Sequence, residues 1–296
     1  MTSHTNGKSG LTLIGLAAGA GSRFGGPKQL EPFGPGGETM LDFAIHDAVE
    51  AGFDSVVLVV RPEMREAFDR GVIARWGARV PIAVAFQEIP AGRKPWGTVD
   101  AVLAAQSVVQ GGFAAVNADD YYGPQAYRGL ADFLRAARHD ATEYAVVGFP
   151  LSETMSASGG VTRALLRTSA DGWLEHIEEV FDIERAGAVA RGRSADGALR
   201  ELSHDALVSM NMWGFTPAVF SEMRDRFNAF REEQRNDIRA ELPLPTLVAS
   251  MIRDGRARVR VLRGEGPWCG VTHPADRDHV SGVLRGVIER GGYRAP

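Results

Sequence analysis

Two clusters in this 296-residue chain carry the residue types that phosphate chemistry requires. The first is the loop within GLTLIGLAAGAGSRFGGPKQL, positions 10–30, where Gly19, Gly21, Gly25 and Gly26 surround two cations, Arg23 and Lys28. Glycines let backbone N–H groups come close to phosphate oxygens with no Cβ in the way. Lysine is scarce: Lys8, Lys28 and Lys94 are the three among 33 basic residues, so a compact point charge inside this loop stands out against a background of arginine. A solvated surface lysine is the alternative. The second cluster is Asp119 and Asp120, in GGFAAVNADDYYG. Consecutive acids repel unless a cation compensates them, and Mg2+ takes oxygen ligands, usually one or two carboxylates with phosphate oxygens and water. In a turn beyond a strand both carboxylates could face such an ion; a solvated turn with Asp as a cap is the competing reading. The seven histidines are scattered, none at metal spacing, and no Ser/His/Asp or Cys/His set is evident. His46, beside Asp47, reads as a surface or core residue, and of the others His273 alone invites suspicion.

These residues need a scaffold, and the hydrophobic pattern supplies one. Leu11 to Leu16 is a short apolar run of the kind that fills a buried parallel strand, and ligands of open α/β sheets collect beyond the carboxyl ends of such strands. The P-loop is excluded, because Lys28 follows Pro27 and precedes Gln29. The dinucleotide fingerprint is a poor match, with Phe24 where a small residue is needed and Arg61 where an acid is expected. Further strands are expected at Ser55–Val60, Val80–Phe86, Phe113–Val116 and Tyr144–Phe149. Helices are expected from Met40 to Val49, from Pro62 to about Trp76, from Thr98, which could cap its own helix, and from Pro124 to Arg138. From Pro150 to Asp205 the rhythm changes to short alternating segments around an Asp171-Gly172 turn, which suggests an antiparallel hairpin. Ala186 to Gly197 reads as a mobile loop. Leu207–Phe215 returns to strand character with Asn211 amid apolar neighbours, and a buried asparagine needs backbone or ligand partners. Helices over Pro217–Asn236 and Leu244–Asp254, a strand at Val259–Leu262 and a final helix to about Arg290 complete the chain.

LAAGAGSRFGGPKQL resembles the LAAGxGxRxxxxKxL loop of the nucleotidyltransferases that join a nucleoside triphosphate to a sugar 1-phosphate. The resemblance implies an α/β fold: a three-layer α/β/α architecture with a mostly parallel, Rossmann-like sheet of the nucleotidyltransferase (GT-A-like) type and an inserted antiparallel sugar-side lobe. It implies that Ala17, Ala18, Gly19, Ala20 and Gly21, with Leu16 ahead of them, line the base and phosphates, and that Arg23 and Lys28 hold the triphosphate and the transferring group. Gly97, Thr98 and Ala101 match a Gly-Thr-x-x-Ala element, which would place Gln87, Gly97 and Thr98 near the base; Trp96 could cover a ring or fill a hinge. Asp119 matches the metal-binding aspartate that follows the strand, with Asp120 as a second ligand of Mg2+ and Asn117 among the nucleotide-binding residues. In the lobe, Gly160 with Val161 matches a GV turn, Glu178 would accept hydrogen bonds from sugar hydroxyls, Glu179 competes with it, and Asn211 would face the acceptor. The chain departs from the family at its close. A Trp-x-Asp-x-Gly-Thr element is met by Trp268, Gly270 and Thr272 with Cys269 and Val271 between them, so Asp276 is the nearest acid that could serve the metal, with Asp278 close behind.

A net charge of −4 and a pI near 6.0 give no electrostatic case for nucleic acid or an anionic membrane. The single cysteine, Cys269, excludes an internal disulfide framework and suits a reducing compartment. The polar start MTSHTNGKSG lacks a signal-peptide core, so a cytoplasmic protein with a disordered tail over 1–10 is expected. Residues 11–296 are expected to form one nucleotidyltransferase domain: a nucleotide-binding half over 11–149, an acceptor-binding half over about 150–215, and C-terminal helices and strands over 216–296. The expected partners are an NTP and a sugar 1-phosphate or a cyclitol phosphate, and a homo-oligomer is possible. Two other readings compete: a glycosyltransferase with the same sheet, which would not need the triphosphate grip of Arg23 and Lys28, and a non-catalytic nucleotide-sugar sensor, which would bind without releasing pyrophosphate.

Overall fold

β1 (Thr12–Leu16) is buried along its length and lies between β2 (Ser55–Val60) and β4 (Phe113–Asn117), parallel to both. In the computed structural model, which describes residues 10–19, 28–271 and 274–295 apart from the side chains of Lys28 and Pro274, β3 (Ile82–Phe86) extends this set beyond β2. The parallel core therefore has the order β3-β2-β1-β4. Its side chains alternate between two hydrophobic cores: Leu13, Val56 and Leu58 enter one, Ile14, Val57 and Val59 the other. A strand covered on both faces needs a continuous apolar run, as TLIGL and SVVLVV provide.

Helices α1 (Met40–Glu50), α5 (Pro124–Ala136) and α8 (Arg277–Glu289) cover the first face, and α4 (Thr98–Ala104), α6 (Val219–Glu233) and α7 (Leu244–Arg253) the second. α1 begins with a capping box, in which the Thr39 hydroxyl and the Asp42 carboxylate each take the other's backbone N–H. The stretch expected as one helix from Pro62 to Trp76 is broken instead into a 3-10 turn, α2 (Arg65–Phe68), a π-helical turn around Gly71 and α3 (Ala74–Trp76).

Beyond β4 the sheet becomes antiparallel. β11 (Leu207–Phe215) opposes β4, β6 (Glu143–Pro150) and β7 (Val161–Thr168), and β8 (Leu174–Ala186), β9 (Val189–Ser194) and β10 (Leu199–Ser203) continue as a meander. β12 (Arg258–Arg263) adds parallel to β6, giving eleven strands in one mixed sheet. β5 (Asp120–Tyr121) and β13 (Cys269–Gly270) pair separately. The β7–β8 turn falls at Asp171-Gly172 as expected, with Gly172 at φ +80°. The mobile loop expected at Ala186–Gly197 is instead the strand β9. Its buried residues Ala190, Gly192 and Ser194 are small and alternate with exposed Arg191 and Arg193, so the two-residue period is present without apolar bulk. Gly192 is required there, because a Cβ would stand 2.7 Å from Val180. No helix among the described residues is long and apolar enough to cross a membrane.

Candidate functional site

The carboxyl ends of β1 and β4 are level, with Leu16 in register with Asn117, and the chain goes on from them to opposite sides of the sheet, from β1 to its neighbour β2 and from β4 past β11 to β6. Such a divergence opens a ligand crevice. On the β1 side Ala17 and Ala18 are buried, the Ala17 N–H donates to the Val59 carbonyl at 2.8 Å, and Gln29 Nε2 donates to the Gly19 carbonyl at 3.2 Å. Ala20, Gly21 and Arg23, and the side chain of Lys28, lie outside the described residues.

On the β4 side a line of side-chain hydrogen bonds ends on an aspartate. The indole N–H of Trp213 donates to Asn211 Oδ1 at 3.1 Å, Asn211 Nδ2 to Asn117 Oδ1 at 2.7 Å, and Asn117 Nδ2 to Asp120 Oδ2 at 2.9 Å. An indole can only donate, so it fixes the orientation of Asn211, which in turn fixes that of Asn117. Asn211 reaches this position because it sits in a bulge at φ +63°, where β11 passes from pairing with β7 at Val208 and Ser209 to pairing with β4 from Trp213. Asparagine is among the few non-glycine residues that tolerate that conformation. The Tyr122 hydroxyl accepts the Asn117 N–H at 3.1 Å, donates to the Met210 carbonyl at 2.9 Å and lies 3.3 Å from Asp120 Oδ2. Burial pushes its pKa well above the usual tyrosine value, so it stays a donor. The structure thus joins residues expected separately on the nucleotide, metal and acceptor sides.

The two aspartates are not equivalent. Asp119 lies half-buried in the turn, but Asp120, expected in the same turn, opens β5 and is 8% exposed, paired with Gly270 of β13. A Cβ at Gly270 would collide with Asp120 Oδ1, which accounts for glycine there. Among the described residues no three His, Cys, Asp or Glu side chains gather as a metal cluster. Asp276 Oδ1 instead accepts the hydroxyls of Ser156 at 2.8 Å and Ser158 at 3.0 Å.

Beyond β3, buried Gln87 donates to the Gly97 carbonyl at 3.1 Å and to Asp100 Oδ2 at 2.9 Å. Burial raises the Asp100 pKa, against the lowering effect of the Gln87 hydrogen bond. Gly97 adopts φ +101°, and a Cβ there would lie 2.6 Å from the Leu242 carbonyl oxygen. Thr98 does not cap its own helix. Its hydroxyl accepts the N–H of Leu244 at 2.8 Å and so satisfies an open donor at the start of α7. Trp96 fills the interior: Phe227 and Phe230 pack on it edge-on, and the Arg93 guanidinium lies 3.1 Å from its ring centroid.

In the lobe, Gly160 packs tightly on β8, where a Cβ would stand 3.3 Å from Asp182 Cα. The Glu178 carboxylate is held by Arg200 at 2.6 Å and Arg167 at 3.1 Å, while Glu179 is exposed. One residue absent from the sequence-based candidates is Arg163 of β7. It is 8% exposed, donates to the carbonyls of Thr154 and Thr162, and lies 5.3 Å from the Trp268 ring centroid. Burial pushes its pKa down to about 10, opposed by the charges of Asp120 and Asp276, so it remains a cation at neutral pH. The signal was in VTRALLRT, whose alternation places Arg163 inward with Val161 and Leu165.

Comparisons with known proteins agree with this architecture. The family model of the MobA-like NTP transferase domain matches residues 13–179. The inositol-1-phosphate CTP transferase from T. maritima is similar in structure, with TM-score 0.64 and 16% identity, covering 95% of this chain and 98% of that one. UDP-glucose pyrophosphorylase, solved in complex with UDP-glucose, is similar with TM-score 0.57 and 14% identity, covering 93% and 98% of the two chains. No curated protein matches the sequence.

Proposed function

The chain belongs to the family of MobA-like NTP transferase domains, and on that premise we propose that it transfers a nucleoside monophosphate from an NTP to a sugar 1-phosphate or a cyclitol phosphate. The observation that carries this reading is the convergence at the carboxyl end of β4, where a fixed line of donors ends on Asp120 beside Asp119. The two likenesses to transferases acting on inositol 1-phosphate and on a glucose nucleotide support the acceptor class without choosing within it.

In such a transfer a phosphate oxygen of the acceptor attacks the α-phosphorus and pyrophosphate leaves in line. The nucleophile is already an anion, so no side chain need remove a proton, which agrees with the lack of a Ser/His/Asp or Cys/His set in the sequence. Catalysis then rests on positioning and charge neutralisation. The backbone from Leu16 to Gly21 and the Gln87–Thr98 wall would flank the nucleotide, and Arg23 and Lys28 would hold its phosphates. Asp119 and Asp120 offer oxygen donors on consecutive residues, a set that fits Mg2+. A divalent ion held there would neutralise charge on the phosphate oxygens. The relay from Trp213 holds Asp120 Oδ2 in place, so this carboxylate need not reorganise when a ligand arrives.

Pyrophosphate release, measured with Mg2+ across CTP, UTP, GTP, dTTP and ATP and a panel of sugar and cyclitol 1-phosphates, tests the proposal. Release is expected to require one triphosphate with one acceptor and to vanish in Asp119→Ala. A folded protein that binds NTP and releases nothing with any pair would sink it.

A further inference from the structure

Between the loop 151–158, the segment leading into β13 and the first turns of α8 lies a cavity of ≈ 730 Å³. That volume is within the range of about 300–1,000 Å³ usual for small-molecule sites. Arg163 and Trp268 both line it, and both are more than nine-tenths buried. Among the described residues the Nε–H of Arg163 and the indole N–H of Trp268 meet no acceptor. Both atoms are shielded from solvent, so a ligand would meet them only after a small shift of either side chain; buried donors without partners are uncommon in folded proteins, and two on residues of one cavity wall set that wall apart. Asp276, with Ser156 and Ser158 gathered on its Oδ1, brings acceptor oxygens and hydroxyls to the same wall.

The charges on the lining decide the kind of ligand. Arg163 and Arg185 are matched by Glu153 and Asp276, with His279 as a further titratable ring, so an anion gains no net attraction. Val280 and Val283 of α8 contribute apolar surface. Donors and acceptors mixed around an apolar strip suit a ring whose hydroxyls each donate and accept and whose faces present C–H groups. One wall of the cavity adjoins the aspartate turn, because Gly270, on that wall, pairs with Asp120 of β5. We infer that this cavity binds a neutral polyhydroxylated ring, which is the body of the acceptor under the transferase reading on which that last step rests. Glu178 is already taken by two arginines, and the cavity gives the ring a place apart from it.

Saturation-transfer NMR with myo-inositol and a set of free hexoses at millimolar concentration, in the presence of Mg2+ and non-hydrolysable NTP analogues, reads ring binding without turnover. At least one polyol should bind the wild-type protein, lose its signal in Val283→Trp, which fills the cavity from α8, and weaken at least tenfold in Ser158→Ala combined with Asp276→Asn. Inorganic phosphate, as the anionic probe, should give no response that these substitutions change. The inference is overturned if no polyol binds the wild type, or if binding is unchanged in a folded Val283→Trp or, should that variant fail to fold, in the Ser158/Asp276 double variant. Acceptor-dependent pyrophosphate release with an unchanged acceptor KM in the folded variants would leave the transferase standing and remove the cavity assignment. Polyol binding that depends on the cavity, with no release from any substrate pair, would do the reverse.

Discussion

The two sides of Asp120 are built on opposite principles. Towards β11 the polar side chains form a saturated line from Trp213 through Asn211 and Asn117, each amide fixed by its neighbour. Towards α8 and the 151–158 loop, Arg163 and Trp268 keep buried donors with no acceptor among the described residues, on the wall of a cavity. A saturated buried network holds a charged centre in one geometry, whereas unsatisfied donors are a cost that a ligand can relieve. The contrast separates a side that positions from a side that binds, and substitutions can break it on either.

The largest effect is expected at Asp119, beside the aspartate on which the saturated line ends. Asp119→Ala should lower pyrophosphate release by about 10²- to 10³-fold with the fold intact by circular dichroism, the usual cost of one preorganised electrostatic contact. Lys28→Ala should fall in the same range, and near-wild-type turnover in either would remove that residue from the chemistry. Next comes the relay. Asn211→Ala loses both amide bonds and places a Cβ-bearing residue without a local hydrogen bond at φ +63°, so destabilisation of about 2–3 kcal/mol in urea is expected. Asn211→Gly relieves the backbone and should recover about 1 kcal/mol of stability while turnover stays low. Recovery of turnover together with stability would show that the amide positions nothing.

Gly97→Ala probes the nucleotide wall from a distance. The residue is held at φ +101° against Leu242, whose N–H and carbonyl bind Trp96 and Val99. A methyl there should cost about 1–3 kcal/mol and raise KM for the triphosphate more than KM for the acceptor. Equal rises would mean that the wall serves general stability alone.

The positioning side was largely legible in the sequence and the binding side was not. β1, β2, β4 and the paired aspartates follow from apolar runs and their abrupt ends, a local signal. Asn211 was visible as a polar residue in an apolar strand, although its partner Asn117, ninety-four positions away, was not. The cavity draws on residues near 155, 163, 268 and 280, brought together by β7, β13 and α8, and no local pattern encodes that meeting. β9 was missed because its inward residues are small, and Thr98 was read as a cap for its own helix when its hydroxyl serves α7, 146 residues later. Both errors arise where a tertiary neighbour decides what a local pattern leaves open.

The smallest effect sharpens the comparison most. Glu178 sits on the lobe with both carboxylate oxygens engaged, by Arg200 at 2.6 Å and Arg167 at 3.1 Å. Arg167 and Arg200 are 59% and 34% exposed, so solvent screens the pairs and they add little to stability. A sugar hydroxyl bound there would have to compete with two guanidinium groups for the same oxygens. Glu178→Gln should therefore cost little stability and leave the acceptor KM unchanged, while the cavity variants raise it. A tenfold rise in acceptor KM for Glu178→Gln alone, equivalent to about 1.4 kcal/mol, would move the acceptor from the unsaturated wall to the lobe and reverse the division of labour between the two sides.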